Sequence, residues 1–413
     1  MTPAPVKPAA RVNVRTPEVM ERVQAQVESH YRSPLVEKIK SRGGTLTVGN
    51  TALRLAKDFG FCYGVERAID LAYAARKVFD EKKVYLLGEI IHNPEVNRQL
   101  LEMGIISIPL GQQEETVAML SSDDVVIVPA FGAETKLMNI IKARGCSIVD
   151  TTCGDVMSVW KRVRGYATQG VTSIIHGKAV HEETRATASR AMGDKGTGHF
   201  LIVLTLDDID FVCGYIRHGG DKEAFLKRFN TDAHSVGFDP DVHLHRVGVA
   251  NQTTMLKSET EEVQRRVRQA VVDRDGEELA QLNYQVFDTI CGATQERQDA
   301  LFDMLKKPMD VLLVVGGYNS SNTTHLVEIG EQQLPTFFIR NAECLQSLEQ
   351  IVHFDLHSKT ETKSYSQKLA GKDDIVVGIT AGASCPNNLI EDTIKRVFTL
   401  RGTPESDVIA ALG

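Results

Sequence analysis

Seven nearly continuous hydrophobic runs alternate with amphipathic stretches along most of the chain. The runs lie at 84–91, 125–131, 172–177, 201–206, 311–317, 336–340 and 375–380. Continuous hydrophobicity of this kind is typical of strands that are buried on both faces of a parallel sheet. The stretches at 66–78 and 388–400 have helical periodicity instead. The pattern predicts an α/β protein with several mainly parallel sheets.

The same pattern divides the chain into an N-terminal extension and three α/β units. The extension begins with Pro/Ala-rich sequence and contains one amphipathic helical stretch at 17–40. Residues at about 207–245 are polar and weakly patterned, which indicates an insertion into the second unit. The predicted boundaries are 1–52 for the extension, 53–153 for the first unit, 154–290 for the second, and 291–413 for the third with a C-terminal tail.

A faint internal repeat places one cysteine at the same point of three segments. The segments read AKDFGFCYGVERAIDLAY, SIVDTTCGDVMSVWKRV and QVFDTICGATQERQDALF. Each runs from a strand-like stretch through an Asp to a Cys and then into a helix, and Asp150 and Asp288 each lie three residues before the Cys. The repeat predicts a pseudo-threefold arrangement that brings Cys62, Cys153 and Cys291 to one point.

These three cysteines have the chemistry of metal ligands. A thiol at a helix N-terminus has its pKa lowered by the exposed amides and the dipole, so thiolate forms readily. The wide spacing fits neither the CxxC pairs of a zinc ribbon nor a ferredoxin motif. Three ligands would leave one metal position open, as catalytic sites do. The alternative is a structural role in the core, which is also the interpretation of Cys146, Cys213 and Cys344.

Two glycine-rich turns predict anion binding. VLLVVGGYNSSNTT runs from a buried strand through two glycines to Ser320, Ser321 and Asn322, and IVVGITAGAS runs in the same way to Ser384. Such turns present backbone N–H groups and hydroxyls at a helix N-terminus, where anions bind. Neither turn has the lysine of a Walker A loop, and ordinary helix capping is the alternative.

Three further strand ends carry polar side chains. They are His92 in GEIIHNP, His181 and Glu183 in SIIHGKAVHEET, and Thr253 in ANQTTMLK. Sites in open α/β sheets lie outside the carboxyl ends of the strands. A histidine there can donate to a phosphate, and a neighbouring carboxyl group can donate a proton. The alternative is a capping or surface role for each residue.

Composition narrows the classes of partner. The net charge is −7, and no block of Lys or Arg offsets it, which disfavours nucleic acid. No apolar run approaches the length of a membrane span, and the opening MTPAPVKPAA lacks the apolar core of a secretory signal. Seven cysteines, an odd number, do not suggest a disulfide framework, so a reducing cytoplasm is the expected location.

Taken together, these motifs resemble the 4-hydroxy-3-methylbut-2-enyl diphosphate reductase (LytB/IspH) family, and its plant and cyanobacterial branch in particular. The likeness extends from about residue 53 to 398. Its segments are GFCYGVERA, EIIHNP, PAFGAE, DTTC, SIIHGKAVHEET, ANQTTMLK, TICGATQERQDA, VVGGYNSSNT and ITAGAS.

The resemblance implies a cofactor, a substrate and a set of residue roles. Cys62, Cys153 and Cys291 would hold a 4Fe–4S cluster whose fourth iron binds the substrate hydroxyl. Glu183 would relay the proton, and Thr253 would lie near that hydroxyl. The residues expected to hold the diphosphate are His92, His181, Ser320, Ser321, Asn322 and Ser384. Two electrons and two protons would remove the hydroxyl as water and give isopentenyl and dimethylallyl diphosphates.

Two positions depart from the family pattern. Phe131 stands in PAFG where many bacterial members have a diphosphate-binding histidine in SAHG, and Gly154 follows Cys153 where Pro or a similar residue is usual. We expect the loss of one anion contact from the first change and only a looser turn from the second.

Two other functional classes fit parts of the sequence. One is an iron–sulfur scaffold or sensor without catalysis, which would lack the acid and the phosphate-binding residues that this chain has. The other is an NAD-dependent dehydrogenase, but no strand is followed by G-x-G-x-x-G with an acid about twenty residues later. Because the chain has no flavin or nicotinamide motif, electrons are expected from an external donor. The resemblance to the plant-like branch implies a ferredoxin, with a flavodoxin as the alternative.

Overall fold

A computed structural model describes residues 11–287, 289–365, 367–370 and 373–412. Within them the strands are β1 (Thr45–Val48), β2 (Thr51–Leu55), β3 (Val84–Leu87), β4 (Ile105–Ile108), β5 (Val125–Val128), β6 (Ser147–Asp150), β7 (Thr172–His176), β8 (Phe200–Val203), β9 (Val247–Asn251), β10 (Tyr284–Val286), β11 (Val311–Val315), β12 (Thr336–Ile339), β13 (Gln350–Asp355), β14 (Thr360–Tyr365) and β15 (Ile375–Ala381).

The helices of the same residues are α1 (Pro17–Tyr31), α2 (Pro34–Ser41), α3 (Tyr63–Val78), α4 (Pro94–Glu102), α5 (Gln113–Met119), α6 (Thr135–Ala143), α7 (Gly154–Thr168), α8 (Glu182–Ala191), α9 (Leu206–His218), α10 (Lys222–Arg228), α11 (Pro240–His243), α12 (Lys257–Asp275), α13 (Glu277–Asn283), α14 (Gly292–Leu305), α15 (Ser321–Glu331), α16 (Gln367–Ala370), α17 (Asn387–Leu400) and α18 (Glu405–Ala410).

The described chain divides into two compact bodies. Body 1 consists of 11–13, 81–88 and 105–291, and body 2 consists of 14–80, 89–104 and 292–412. Body 1 contains two four-stranded sheets, in the orders β4-β3-β5-β6 and β10-β9-β7-β8. All of the strand pairs in both sheets are parallel. Every residue of β5, β7 and β9 is buried, as expected for central strands of a parallel sheet that helices cover on both faces.

Body 2 is built on one larger sheet. Its strand order is β1-β2-β15-β11-β12, and the strands from β2 to β12 are parallel. The edge strand β1 is antiparallel to β2, and β13 and β14 form a separate antiparallel hairpin. The predicted class, α/β with mainly parallel sheets, is confirmed, and each of the seven hydrophobic runs contains or overlaps a strand. The arrangement of three units around a central cluster and the predicted boundaries stay predictions.

Residues 17–52 differ from the expected extension. The helical stretch predicted at 17–40 is two helices, because Pro34 lacks an N–H and favours extended backbone at Ser33 before it. The Ser33 hydroxyl then caps α2 by accepting from the N–H of Val36 at 2.9 Å. Val36 and Ile39 are fully buried, and β1 pairs with β2. These residues are therefore part of the body 2 core and sheet.

The segment at 207–245 is also better ordered than its composition indicated. It contains most of α9 and all of α10 and α11, and Val212, Cys213 and Phe225 join the core of the second body 1 sheet. Its charged residues lie on the outer face and at caps, such as the capping box between Thr205 and Asp208. The many charged residues on one face made the amphipathic pattern of these helices difficult to recognise in the sequence. That the segment is an insertion stays a prediction.

Among the described residues, no helix is both long enough and apolar enough to cross a membrane.

Candidate active site

The three candidate ligand cysteines share one structural context. Cys62 and Cys153 are the N-cap residues of α3 and α7, and Cys291 directly precedes α14. All three are free thiols with intermediate exposure. The placement before a helix agrees with the sequence prediction for each cysteine.

The other four cysteines are buried. They are Cys146, Cys213, Cys344 and Cys385. Burial raises the pKa of the Cys213 thiol to about 11 and also raises the pKa of Cys146 and Cys385. A buried thiol with a raised pKa is a poor source of thiolate, so packing is the role that fits Cys146, Cys213 and Cys385. Burial alone fits the same role for Cys344.

Local contacts fix the backbone around Cys153, a candidate ligand in body 1. Asp150 Oδ1 accepts from Thr152 N at 3.1 Å and from Thr152 Oγ1 at 2.6 Å, which turns the chain after β6 toward Cys153. The Cys153 N–H donates to Ala130 O at 2.8 Å. The equivalent Asp288 lies outside the described residues. A side chain at Gly154 would meet no atom within 4 Å, so sterics do not require glycine there.

The two candidate catalytic residues are in direct contact within body 1. Glu183 is 3% exposed. Its Oε1 accepts from the Thr253 N–H at 2.6 Å, and its Oε2 accepts from Thr253 Oγ1 at 3.0 Å. Thr253 O in turn accepts from the Cys291 N–H at 3.2 Å. The structure therefore connects the acid, the hydroxyl and one candidate ligand turn through hydrogen bonds.

The sheet explains why Glu183 and Thr253 meet. The turn after β7 leads to α8, which carries Glu183, and the turn after the neighbouring parallel strand β9 carries Thr253. Carboxyl ends of adjacent parallel strands lie at the same edge of a sheet. Gln252 ties the two turns together, because its Oε1 accepts from Lys178 N at 3.2 Å and Thr184 Oγ1 at 3.0 Å.

His181 is held in one orientation at the start of α8. Its Nδ1 accepts from the Glu183 N–H at 3.2 Å, so the proton of the neutral ring lies on Nε2, where it can be donated to an anion. The Phe131 ring packs edge-on against the His181 ring, with 6.2 Å between centroids. Phe131, the residue that departs from the bacterial SAHG pattern, thus contacts one of the candidate anion-binding residues.

A second group of predicted residues comes together in body 2. Ser384 Oγ donates to His92 O at 3.2 Å and lies 3.4 Å from Ser320 Oγ. Asn322 Oδ1 accepts from the Ala383 N–H at 2.9 Å. The Asn322 Nδ2 amide is buried and has no hydrogen-bond partner among the described residues. An oriented and buried donor of this kind fits an anionic ligand.

The glycines of the two turns make this cluster possible. A side chain at Gly317 would overlap the carbonyl oxygen of His92, and one at Gly382 would overlap the hydroxyl of Thr323. Ser320 caps α15 and accepts from Thr323 N. Ser321 is the first residue of α15 and is buried.

Sequence reasoning missed several supporting residues. Glu89 Oε2 lies 3.0 Å from His92 Nδ1 and accepts from Asn319 Nδ2 at 2.8 Å. Burial alone would raise the pKa of Glu89, but the hydrogen bonds from His92 and Asn319 outweigh it and hold that pKa below its ordinary value. The E-x-x-H spacing in GEIIH was the available signal for Glu89. The Ala383 peptide was also missed: its N–H meets Asn322, and its carbonyl accepts from the Cys62 N–H at 3.3 Å.

Comparison with known proteins agrees with the geometry. Residues 53–398 match the family model described as LytB protein. Two relatives, both named 4-hydroxy-3-methylbut-2-enyl diphosphate reductase, come from cyanobacteria. The Gloeobacter violaceus protein is 46% identical over 94% of this chain and 93% of its own length, and a Nostoc protein is 44% identical over 92% of each. The chain belongs to the LytB family.

Solved structures give the same fold. One is titled as (E)-4-hydroxy-3-methyl-but-2-enyl diphosphate reductase, the terminal enzyme of the non-mevalonate pathway. It is 27% identical, with a TM-score of 0.51 over 84% of this chain and 99% of its own. The Plasmodium falciparum reductase is 21% identical, with a TM-score of 0.60 over 85% of this chain and 90% of its own, and supports the fold alone.

Proposed function

We propose that this chain is a 4-hydroxy-3-methylbut-2-enyl diphosphate reductase that forms isopentenyl and dimethylallyl diphosphates in the last step of the methylerythritol phosphate pathway. Near-full-length similarity to proteins of that name supports the activity. The observation that carries the mechanism is the Glu183–Thr253 contact, because a buried acid bonded to a hydroxyl can deliver a proton to a leaving oxygen.

The cofactor of this proposal is a 4Fe–4S cluster on Cys62, Cys153 and Cys291. The residues fit the cluster, since these three cysteines are partly exposed at helix N-termini while the other four are buried. When bound, the cluster supplies the electrons and a Lewis-acidic position. The rest of the chemistry falls to side chains of the chain.

Proton delivery is the task of Glu183 and Thr253. Removal of a hydroxyl as water consumes two electrons and two protons, one of which must reach the departing oxygen. Protonated Glu183 donates to Thr253 Oγ1, and the Thr253 proton passes to the substrate hydroxyl. Thr253 gains and loses one proton, so it sets geometry without a net change.

Binding of the diphosphate is the task of the polar residues in both glycine-rich turns and at the strand ends. The Nε2–H of His181, the Nδ2 amide of Asn322 and the hydroxyls of Ser320 and Ser384 are donors, which is what a diphosphate requires. His92 and Ser321 complete the proposed set.

Electrons come from an external donor in this proposal, a ferredoxin with flavodoxin as the alternative, in the cytoplasm. Reducing the enzyme with each system separately distinguishes them. Failure of both donors while a chemical reductant works would remove this part of the proposal.

The test of the function is anaerobic reconstitution followed by turnover. We expect brown protein with nearly equal iron and sulfide, and conversion of the hydroxymethylbutenyl diphosphate to both products with a chemical reductant. Replacing Cys62, Cys153 or Cys291 by Ala should abolish iron binding and turnover. The matched change Cys213→Ala should be mild, because that thiol only packs. Iron loss from Cys213→Ala with iron retention in Cys62→Ala would refute the ligand assignment.

A further inference from the structure

Arg297 is a buried cation on α14, within body 2. The residue is 5% exposed. Its Nε and Nη2 both donate to the carbonyl oxygen of Gly60, at 3.2 and 2.7 Å, and its Nη1 donates to Ala293 O at 2.8 Å. All of these acceptors are neutral backbone carbonyls, and among the described residues no carboxylate forms a salt bridge with Arg297.

The carbonyl that Arg297 holds belongs to the turn before Cys62. Gly60 lies two residues before Cys62 and has a φ of +81°, and a side chain there would collide with Asn387. The Cys62 N–H also anchors the turn, because it donates to Ala383 O. The guanidinium therefore fixes one side of the Cys62 turn from a helix that starts directly after Cys291.

Burial of a positive charge of this kind costs folding free energy, so its presence in the core points to a functional role. Carbonyl hydrogen bonds satisfy the guanidinium donors without neutralising its positive charge. That charge acts on the Glu66 carboxyl group, whose pKa is raised by burial and partly lowered again by Arg297. The charge reaches other groups of body 2: burial lowers the pKa of the Lys40 ammonium, and repulsion from Arg297 lowers it further against the attraction of Asp58. An iron–sulfur cluster gains negative charge on reduction, and nearby net charge is one determinant of its potential.

We propose that Arg297 is a positioning residue for Cys62 and that its positive charge makes the cluster easier to reduce. The inference rests on the proposed function, since it assumes that Cys62 binds a cluster. Two separable consequences follow. The planar fork holds the Gly60 carbonyl, and the charge favours the reduced state of whatever the turn binds.

Two substitutions separate the effect of the guanidinium hydrogen bonds from the effect of the positive charge. Arg297→Lys keeps the charge, but one ammonium cannot reproduce the fork on Gly60 and Ala293. Arg297→Gln removes the charge and keeps a shorter donor. The matched control is Arg396→Gln, because Arg396 also donates to two backbone carbonyls in body 2, at 2.8 and 3.1 Å, but in the turn after the buried Cys344.

The readouts are iron release to a chelator and the midpoint potential in an anaerobic redox titration followed by electron paramagnetic resonance. We expect Arg297→Gln to lower the one-electron reduction constant about tenfold, which is 59 mV toward more negative potential. Arg297→Lys should keep the potential and release iron faster than the parent. Arg396→Gln should change neither quantity.

The outcomes distinguish this inference from the proposed function. An active parent cluster with the same potential and iron release in both Arg297 variants would overturn the inference alone. A parent chain that binds no cluster after reconstitution would overturn the proposed function and this inference with it. Loss of the cluster from Arg297→Gln but not from Arg396→Gln would support the positioning role.

Discussion

The substitution Glu183→Gln tests the proton donor most directly. Glutamine has nearly the same shape, so its Oε1 can still accept from the Thr253 N–H that now lies 2.6 Å from Glu183 Oε1. Its amide group then faces Thr253 Oγ1 and can donate to it. Because both contacts have a replacement, the cost to folding should be only about 1 kcal/mol.

The cost to catalysis should be much larger. An amide cannot supply the proton that the departing oxygen needs, and loss of a general acid lowers rates about 100- to 10,000-fold. Alanine would be a poorer test, since it would leave the buried Thr253 N–H without its acceptor at a further cost of about 1–3 kcal/mol. A loss of activity in Glu183→Ala would mix catalysis with folding.

Glu182→Gln is the matched control. Glu182 and Glu183 are neighbours in the first turn of α8, where an acid interacts favourably with the helix dipole, an effect worth about 0.3–1 kcal/mol. If Glu183 only interacted with the helix dipole, Glu182→Gln and Glu183→Gln would have similar turnover. We expect Glu182→Gln to retain most of its turnover.

The assay is turnover at saturating chemical reductant, with iron, sulfide and substrate affinity measured on the same preparations. Glu183→Gln should keep its cluster and bind substrate while losing turnover by at least the factor above. Near-normal turnover in that variant would refute the role of Glu183.

Three further substitutions test the residues around this acid and the anion-binding turns. Thr253→Val should lower turnover with the cluster intact, and Thr253→Ser should restore it, because only a hydroxyl can pass the proton; equal rates for the two would contradict the relay. Ser384→Ala should weaken substrate binding at least several-fold without altering the cluster spectrum, since a hydrogen bond to a charged group contributes about 1.5–3 kcal/mol, and unchanged affinity would remove Ser384 from the site. Phe131→Leu should raise KM more than it lowers kcat, because the edge-on ring contact that orients His181 is lost. Phe131→Tyr keeps an aromatic ring and should therefore have a KM close to that of the parent. An unchanged KM in Phe131→Leu would show that Phe131 only packs.

The sequence predicts the strands well because burial on both faces leaves continuous hydrophobic runs such as VVIV in β5. It misses β4 and β13, where Ser107 and His353 interrupt the hydrophobic run, and it overlooks the break at Pro34. The predicted family is confirmed, and the cysteines occur before helices as expected. The roles of the site residues stay predictions.

Contacts between distant segments are beyond such reasoning. Arg297 and Gly60 are 237 positions apart, and Asn319 and Glu89 are 230 positions apart. The local sequence pattern cannot predict either contact, because each contact depends on how separate turns pack within body 2. Polar residues at strand ends can be found from the sequence, whereas the partners that orient them require the structure.

The strand order of body 2 also affects how the chain is made on the ribosome. β2 is synthesised early, but its parallel partner β15 is among the last strands to emerge, and β11 and β12 also lie in the final part of the chain. At about 5–20 residues per second, the roughly 300 residues between them take about 15 s to a minute. During that interval β2 has β1 as its sheet partner but lacks β15, and two-stranded hairpins are marginally stable. Nascent chains that stop before β15 should therefore be the aggregation-prone species in the synthesis of this protein, while body 1 can already complete its own sheets.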